Sequence, residues 1–127
     1  MIKSLIISFI SKEGYEIKKI EYNFVSKNKI LNINTKYLNH ITDTDIITFD
    51  YTNSKKIETE IYLCYVTIKK NAKENNQSAE NETVRVMIHG VLHCMGYNDK
   101  CDKEKKVIMD KENAFLKMFH VKQYNHV

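Results

Sequence analysis

The spacing of apolar positions changes several times along this chain. The opening run SLIISFI is too short and too continuously apolar for its period to choose between helix and strand. KKIEYNF then alternates Ile20, Tyr22 and Phe24, which predicts a strand with one buried face. From Ser26, a candidate N-cap, Ile30, Ile33, Tyr37 and Leu38 fall at helical spacing. TDIITFDY and ETEIYLCYV are rich in β-branched and aromatic residues and predict two strands, divided by a polar turn around Asn53 and Ser54. Residues 69–82 form a polar, low-complexity segment expected to be a helix end and an exposed loop. Helical spacing returns from Glu82 to Met95, with Gly96 as its stop. A last helix, from about Asp102 to Phe119, is expected to bury Val107, Ile108, Phe115, Leu116 and Phe119. The sum is an α+β domain: a small mixed sheet of three to four strands packed with four to five helices. One domain is expected over residues 1–120, followed by a C-terminal tail over 121–127.

Composition narrows the class of protein without naming it. The 127 residues are 43% hydrophobic and 28% charged, close to the globular average, so a folded core is expected and wholesale disorder is not. The net charge of +4 favours a polyanionic partner, although Lys, Ile, Asn and Tyr are all abundant, as AT-rich codons would make them. Arg85 is the only arginine. Cys64, Cys94 and Cys101 are odd in number and form no CxxC pair, which points to reduced thiols and a cytoplasmic setting. The apolar start is far below the roughly 20 residues of a membrane span, and no small-residue cleavage site follows it, so it is expected to belong to the fold.

The chemistry concentrates in RVMIHGVLHCMGYNDK, residues 85–100. Histidines four apart on a helix project from one face, so His89 and His93 can address a single ion. Gly96 permits the chain to reverse, and Asp99 arrives three residues later as a third ligand, with Asn98 and Asp102 as nearby competitors. Two imidazoles and one carboxylate leave a fourth tetrahedral position for water or substrate, which distinguishes a catalytic zinc site from a closed structural one. In zinc peptidases with HExxH the residue after the first histidine is the general base. Here it is Gly90, which argues against a metzincin-like peptidase. Other candidates are weaker. His40 and the pair Thr44 and Asp45 precede a strand near the expected cleft, His120 and His126 lie toward the C-terminus, and Cys94 points off the ligand face as a small apolar side chain.

HGVLHCMGYNDK resembles the HGxLHLxGYDH signature of the YbeY family of bacterial endoribonucleases, also described as rRNA maturation factors. INTKYLNHITDTDIITF, residues 33–49, is similar to that family's LNxxYRxxDxPTDVLSF segment, TEIYL to its GDIxI strand, and Met109 with Glu112 to its MxxxE-type helix. The resemblance runs from residue 1 to about 119 and implies that SLIISFI is the first helix. There are departures. Asp99 stands where the family's third ligand is usually His, Asp43 where it has Pro, and Leu38 where it has Arg, so that position carries no phosphate-binding group. The leading strand usual before the first helix has no counterpart. Arg85, one turn before His89, is a candidate replacement for the missing arginine, with an ion pair to Glu82 as the plainer alternative.

The resemblance implies a zinc-dependent, single-strand-specific endoribonuclease acting in 16S rRNA 3′ end maturation and ribosome quality control. It implies one Zn²⁺ held by His89, His93 and Asp99, single-stranded RNA and the small ribosomal subunit as partners, and no DNA or membrane. The rival expectation is a non-catalytic RNA-binding ribosome-assembly factor in which zinc is structural and lysines contact phosphates.

Overall fold

A computed structural model describes residues 2–38 and 44–125, with side chains as far as His120. The elements in chain order are α1 (Ile2–Lys12), β1 (Glu16–Phe24), α2 (Lys27–Leu38), β2 (Ile46–Asp50), β3 (Lys56–Leu63), α3 (Tyr65–Glu74), α4 (Ala79–Cys94) and α5 (Asp102–Asn125). The fold is therefore α+β as expected, with five helices and a mixed sheet of three strands in the order β1-β3-β2. SLIISFI is helical, in agreement with the resemblance rather than with any period in the run itself.

Strand β3 is the middle of the sheet, parallel to β1 and antiparallel to β2. The β2–β3 hairpin turns through Ser54 and Lys55, both at positive φ, as a two-residue turn matched to strand twist requires. Alternation along β3 divides its side chains between two faces. Ile57, Ile61 and Leu63 enter the larger core with Ile10 of α1, Ile88, Val91 and Leu92 of α4, and Phe115 of α5. A second, smaller core covers part of the other face, where Ile30 and Ile33 of α2 meet Ile47 and Cys64.

Several local expectations give way to tertiary context, and Phe24, expected on the buried face of β1, is exposed at that strand's end. The strand expected to reach Val66 stops at Leu63, where both neighbours run out: Phe24 ends β1 and Ile46 begins β2 opposite that residue. Without ladder partners, Tyr65 and Val66 start α3 and lie exposed. On α2 the buried stripe is Ile30, Ile33 and Asn34, whereas Tyr37 and Leu38 are exposed beyond the end of the small core. On α5, Ile108, Phe115, Leu116 and Phe119 are buried as expected, but Val107 is exposed, because its neighbour Ile108 takes the core-facing side and successive residues lie about 100° apart. The polar segment 69–82 holds the end of α3, a turn, and the start of α4, which begins earlier than expected because Ser78 caps it by accepting from Asn81 N–H at 3.0 Å. Helix α5 runs past Phe119, so most of the segment expected as a tail is helical.

Helix α4 lies unusually close to the sheet at Gly90. A Cβ there would sit 3.0 Å from Ile61 Cδ1, 3.1 Å from Thr48 Oγ1 and 3.2 Å from Ile46 Cδ1. The position that carries the general base in HExxH peptidases is here pressed against β2 and β3, with no room for a carboxylate. Gly90→Val should cost about 2 kcal/mol through overpacking, read as a lower urea midpoint at unchanged slope.

Candidate metal centre

The candidate site forms where α4 ends and the chain doubles back. Gly96 sits at φ +92°, a left-handed conformation that a residue with Cβ resists. It donates to His93 C=O at 3.0 Å, and Tyr97 N–H donates to Leu92 C=O at 3.1 Å, the paired bonds of a Schellman cap. Tyr15 O–H donates to Met95 C=O at 3.2 Å, and Tyr22 O–H to Met87 C=O at 3.0 Å, fastening the helix to the first helix-strand unit. Beyond the cap, Glu13 gathers the loop. It accepts from Tyr97 O–H and from Lys111 Nζ at 2.9 Å, joining α1, the reversal and α5.

That reversal delivers Asp99 to the two histidines. His89 Nε2 and His93 Nε2 are 2.9 Å apart, and one Asp99 oxygen lies 3.5 Å from the first and 3.4 Å from the second. For donors at zinc distances the edge of a tetrahedron is about 3.3 Å, so this triangle fits one small divalent ion with three protein ligands. The same three residues are the metal-type cluster found among the described residues, and the acidic competitor Asp102 does not join it. The three side chains are partly exposed, and His89 and Asp99 line a cleft of about 320 Å³ with Asp45, Glu82, Arg85 and Lys105.

The second nitrogen of His89 is anchored by Glu112 on α5. His89 Nδ1 pairs with Glu112 Oε2 at 2.5 Å, while Arg85 donates to Glu112 Oε1 at 2.8 Å and to Asn113 Oδ1 at 2.7 Å. Glu112 is 6% exposed, so each of its oxygens is desolvated and each is bonded. Desolvation pulls the His89 pKa down. The Glu112 hydrogen bond and charge, with Asp99 and Asp45, outweigh it and hold the pKa above its ordinary value. Burial pushes the Glu82 carboxyl up; Arg85 opposes this, and Asp45 and Glu112 reinforce it.

The ion pair of Arg85 is therefore made with Glu112 across the helix pair and not with Glu82. Asp45 lines the cleft, whereas Thr44 spends its hydroxyl on Ile46 C=O. Cys94 is buried off the ligand face, where desolvation first, and then nearby Asp50, push its thiol to about 11. His120 pairs with Asn81 at the opposite end of α4. His40, Asp43 and His126 lie outside the described residues. Sequence reading gave no role to Glu112, although a sign of one is visible. An acidic residue four past Ile108 and three before Phe115 sits on an otherwise apolar helix face, where a carboxylate needs dedicated partners.

Two outcomes are expected. Glu112→Gln should weaken metal affinity 10- to 100-fold in a competition titration against a chromogenic chelator, because His89 loses its charged anchor. The Glu13 pKa is lowered: desolvation acts to raise it, but the Tyr97 and Lys111 hydrogen bonds and the Lys111 charge prevail. Its stabilisation is thus present above the ordinary carboxylate pKa and is lost as pH falls through the lower folded value. Glu13→Gln should cost about 1 kcal/mol at pH 7, a modest figure because Lys111 is partly solvated, and the gap to the native chain should close on acidification in urea melts.

The comparisons with known proteins converge. A family model described as Endoribonuclease YbeY matches residues 1–120. Endoribonuclease YbeY of Flavobacterium psychrophilum is 43% identical over 122 residues, covering 96% of this chain and 84% of that protein. The protein of the same name from Cytophaga hutchinsonii is 38% identical over 118 residues, covering 92% and 82%. The solution structure of TM1509 from Thermotoga maritima is similar at a TM-score of 0.74 and 26% identity, covering 98% of this chain and 83% of that one.

Proposed function

The chain belongs to the YbeY family of endoribonucleases, and from that premise we propose that it is a zinc-dependent, single-strand-specific endoribonuclease that matures the 3′ end of small-subunit ribosomal RNA and serves ribosome quality control in the cytoplasm. The observation that carries this reading is the convergence of two imidazole nitrogens and one carboxylate oxygen beside a cleft. Zinc is the ion proposed because that donor set, with a side left open, is its catalytic coordination. Once bound, the ion supplies a Lewis acid that offsets charge developing on the scissile phosphate. No helix among the described residues is long and apolar enough to cross a membrane.

In this reading the chain's own residues position and screen. Glu112 holds the His89 ring so that Nε2 faces His93 and Asp99, where it would meet a bound ion, and Arg85 holds Glu112. Arg85 is thus a positioning residue first, and contact with phosphate is its second proposed role. Lys105 on the cleft wall adds a cation for the RNA backbone. Glu82 stands on the same wall, its carboxyl pushed above its ordinary pKa by burial.

A non-catalytic assembly factor with structural zinc makes the opposite demand on the fold, since metal removal would then unfold it. The continuity of the core without the ligand cluster, together with the Arg85–Glu112 tie between α4 and α5, favours a folded apo-protein. The deciding measurement uses labelled single-stranded RNA carrying the precursor small-subunit 3′ end. Zinc-loaded protein should cleave it, while His93→Ala and the chelated wild type should remain folded by circular dichroism and cleave none. Equal cleavage by His93→Ala would remove the metal from the chemistry, and unfolding on chelation would transfer support to the structural-zinc reading.

A further inference from the structure

Tyr37 of α2, Phe49 of β2, Tyr51 just beyond it, and Glu60 and Tyr62 of β3 enclose a pocket of about 240 Å³. It opens on the sheet face away from α4, whose Gly90 packs on Ile61 and Thr48 instead. Tyr37 and Tyr62 each meet Phe49 edge to face, with ring centroids 5.7 and 5.9 Å apart, so the aromatic walls are braced by one another. Tyr37 and Tyr51 are nevertheless more than half exposed. The volume is below the range of about 300–1,000 Å³ typical of small-molecule sites and suits a single side chain.

The charge at this pocket is unbalanced. Glu60 accepts from Tyr62 O–H at 3.3 Å, and among the described residues no lysine or arginine forms an ion pair with it. In the β1–β3 register Glu21 stands directly opposite Glu60, but Lys19 pairs with Glu21 at 3.3 Å, so Glu60 is the carboxylate of this pair without a cationic partner among the described residues. Burial first, and then the charge of Glu60, push the Tyr51 and Tyr62 phenols above their ordinary values, placing the carboxylate within electrostatic reach of both rings. Aromatic faces around an uncompensated carboxylate form an environment for a cation, and among side chains a guanidinium uses both features, stacking on rings while its fork meets the carboxylate. Glu60 repels a phosphate backbone, which makes a protein a better occupant than RNA.

We propose that this pocket is a docking site for an arginine side chain in a basic segment of a partner protein, on the opposite side of the sheet from the metal centre. Lys29 lines the pocket and is an internal competitor, and Lys36 Nζ already lies 5.2 Å from the Tyr37 ring centroid. The test is fluorescence polarisation of the full chain with a labelled decapeptide alternating arginine and glycine, beside the same peptide with citrulline for arginine. Saturable binding of the arginine peptide is expected, with about tenfold weaker binding to Glu60→Gln and Tyr51→Ala and none of the citrulline peptide. Lys29→Met should bind more tightly. Both pocket variants should keep the far-ultraviolet spectrum of the native chain. Undiminished binding to Glu60→Gln and Tyr51→Ala, or equal binding of the citrulline peptide, would overturn the proposal. So would a Lys29→Met variant that loses stability while the native chain binds no peptide, since Lys29 would then be the occupant. Loss of labelled oligouridine binding in Tyr51→Ala, with peptide binding unchanged, would assign the aromatic face to RNA instead.

Discussion

The close approach of α4 to the sheet governs the rest of the molecule. With Gly90 against Ile61 and Thr48, the helix buries Val84, Ile88, Val91 and Leu92 and leaves one strip free of the core. Glu82, Arg85, His89 and His93 lie along that strip at intervals of three and four residues. A bulkier residue at position 90 would lift or roll the helix, and every group on the strip would turn with it. Packing and site geometry are thus the same constraint seen from two sides of one helix.

A second constraint is the burial of Glu112. A carboxylate 6% exposed is tolerated only when its oxygens are bonded, and here Arg85 and His89 supply the bonds from the neighbouring helix. Removing either partner would leave a desolvated charge, so the α4–α5 contact resists local change more than an exposed ion pair would. This gives the ligand cluster a rigid back wall, while Asp99 on the loop beyond Gly96 remains the exposed and more adaptable member. Glu13, Tyr97 and Lys111 limit that adaptability by pinning the loop from the other side.

Charge is divided by face. The chain carries a net +4, yet the sheet face away from α4 presents Glu60 among tyrosines, with Glu21 and Glu58 paired to Lys19 and Lys18, whereas the metal cleft sets Arg85 and Lys105 among carboxylates that an ion would offset. Neither distribution follows from net charge, which is why the composition favoured a polyanion without locating one.

Sequence by itself determined what local rules control. Period and turn chemistry placed most of the elements, the i, i+4 histidines and the glycine stop predicted that His89, His93 and Asp99 would converge, and the motif series identified the family. Contacts between distant segments were decided by tertiary structure. The strand expected through Val66 ended where its neighbours ended, and Val107 and Tyr37 were left in solvent by helices whose rotation local period does not fix. Arg85 met Glu112, 27 positions away, instead of Glu82, 3 positions away, because a buried carboxylate on the packed neighbour offers a drier and stronger partner than a residue on the same helix. The aromatic pocket around Glu60 draws one wall from α2 and the others from a hairpin. No pattern within either segment contains it, because it exists only once α2 has packed on the sheet.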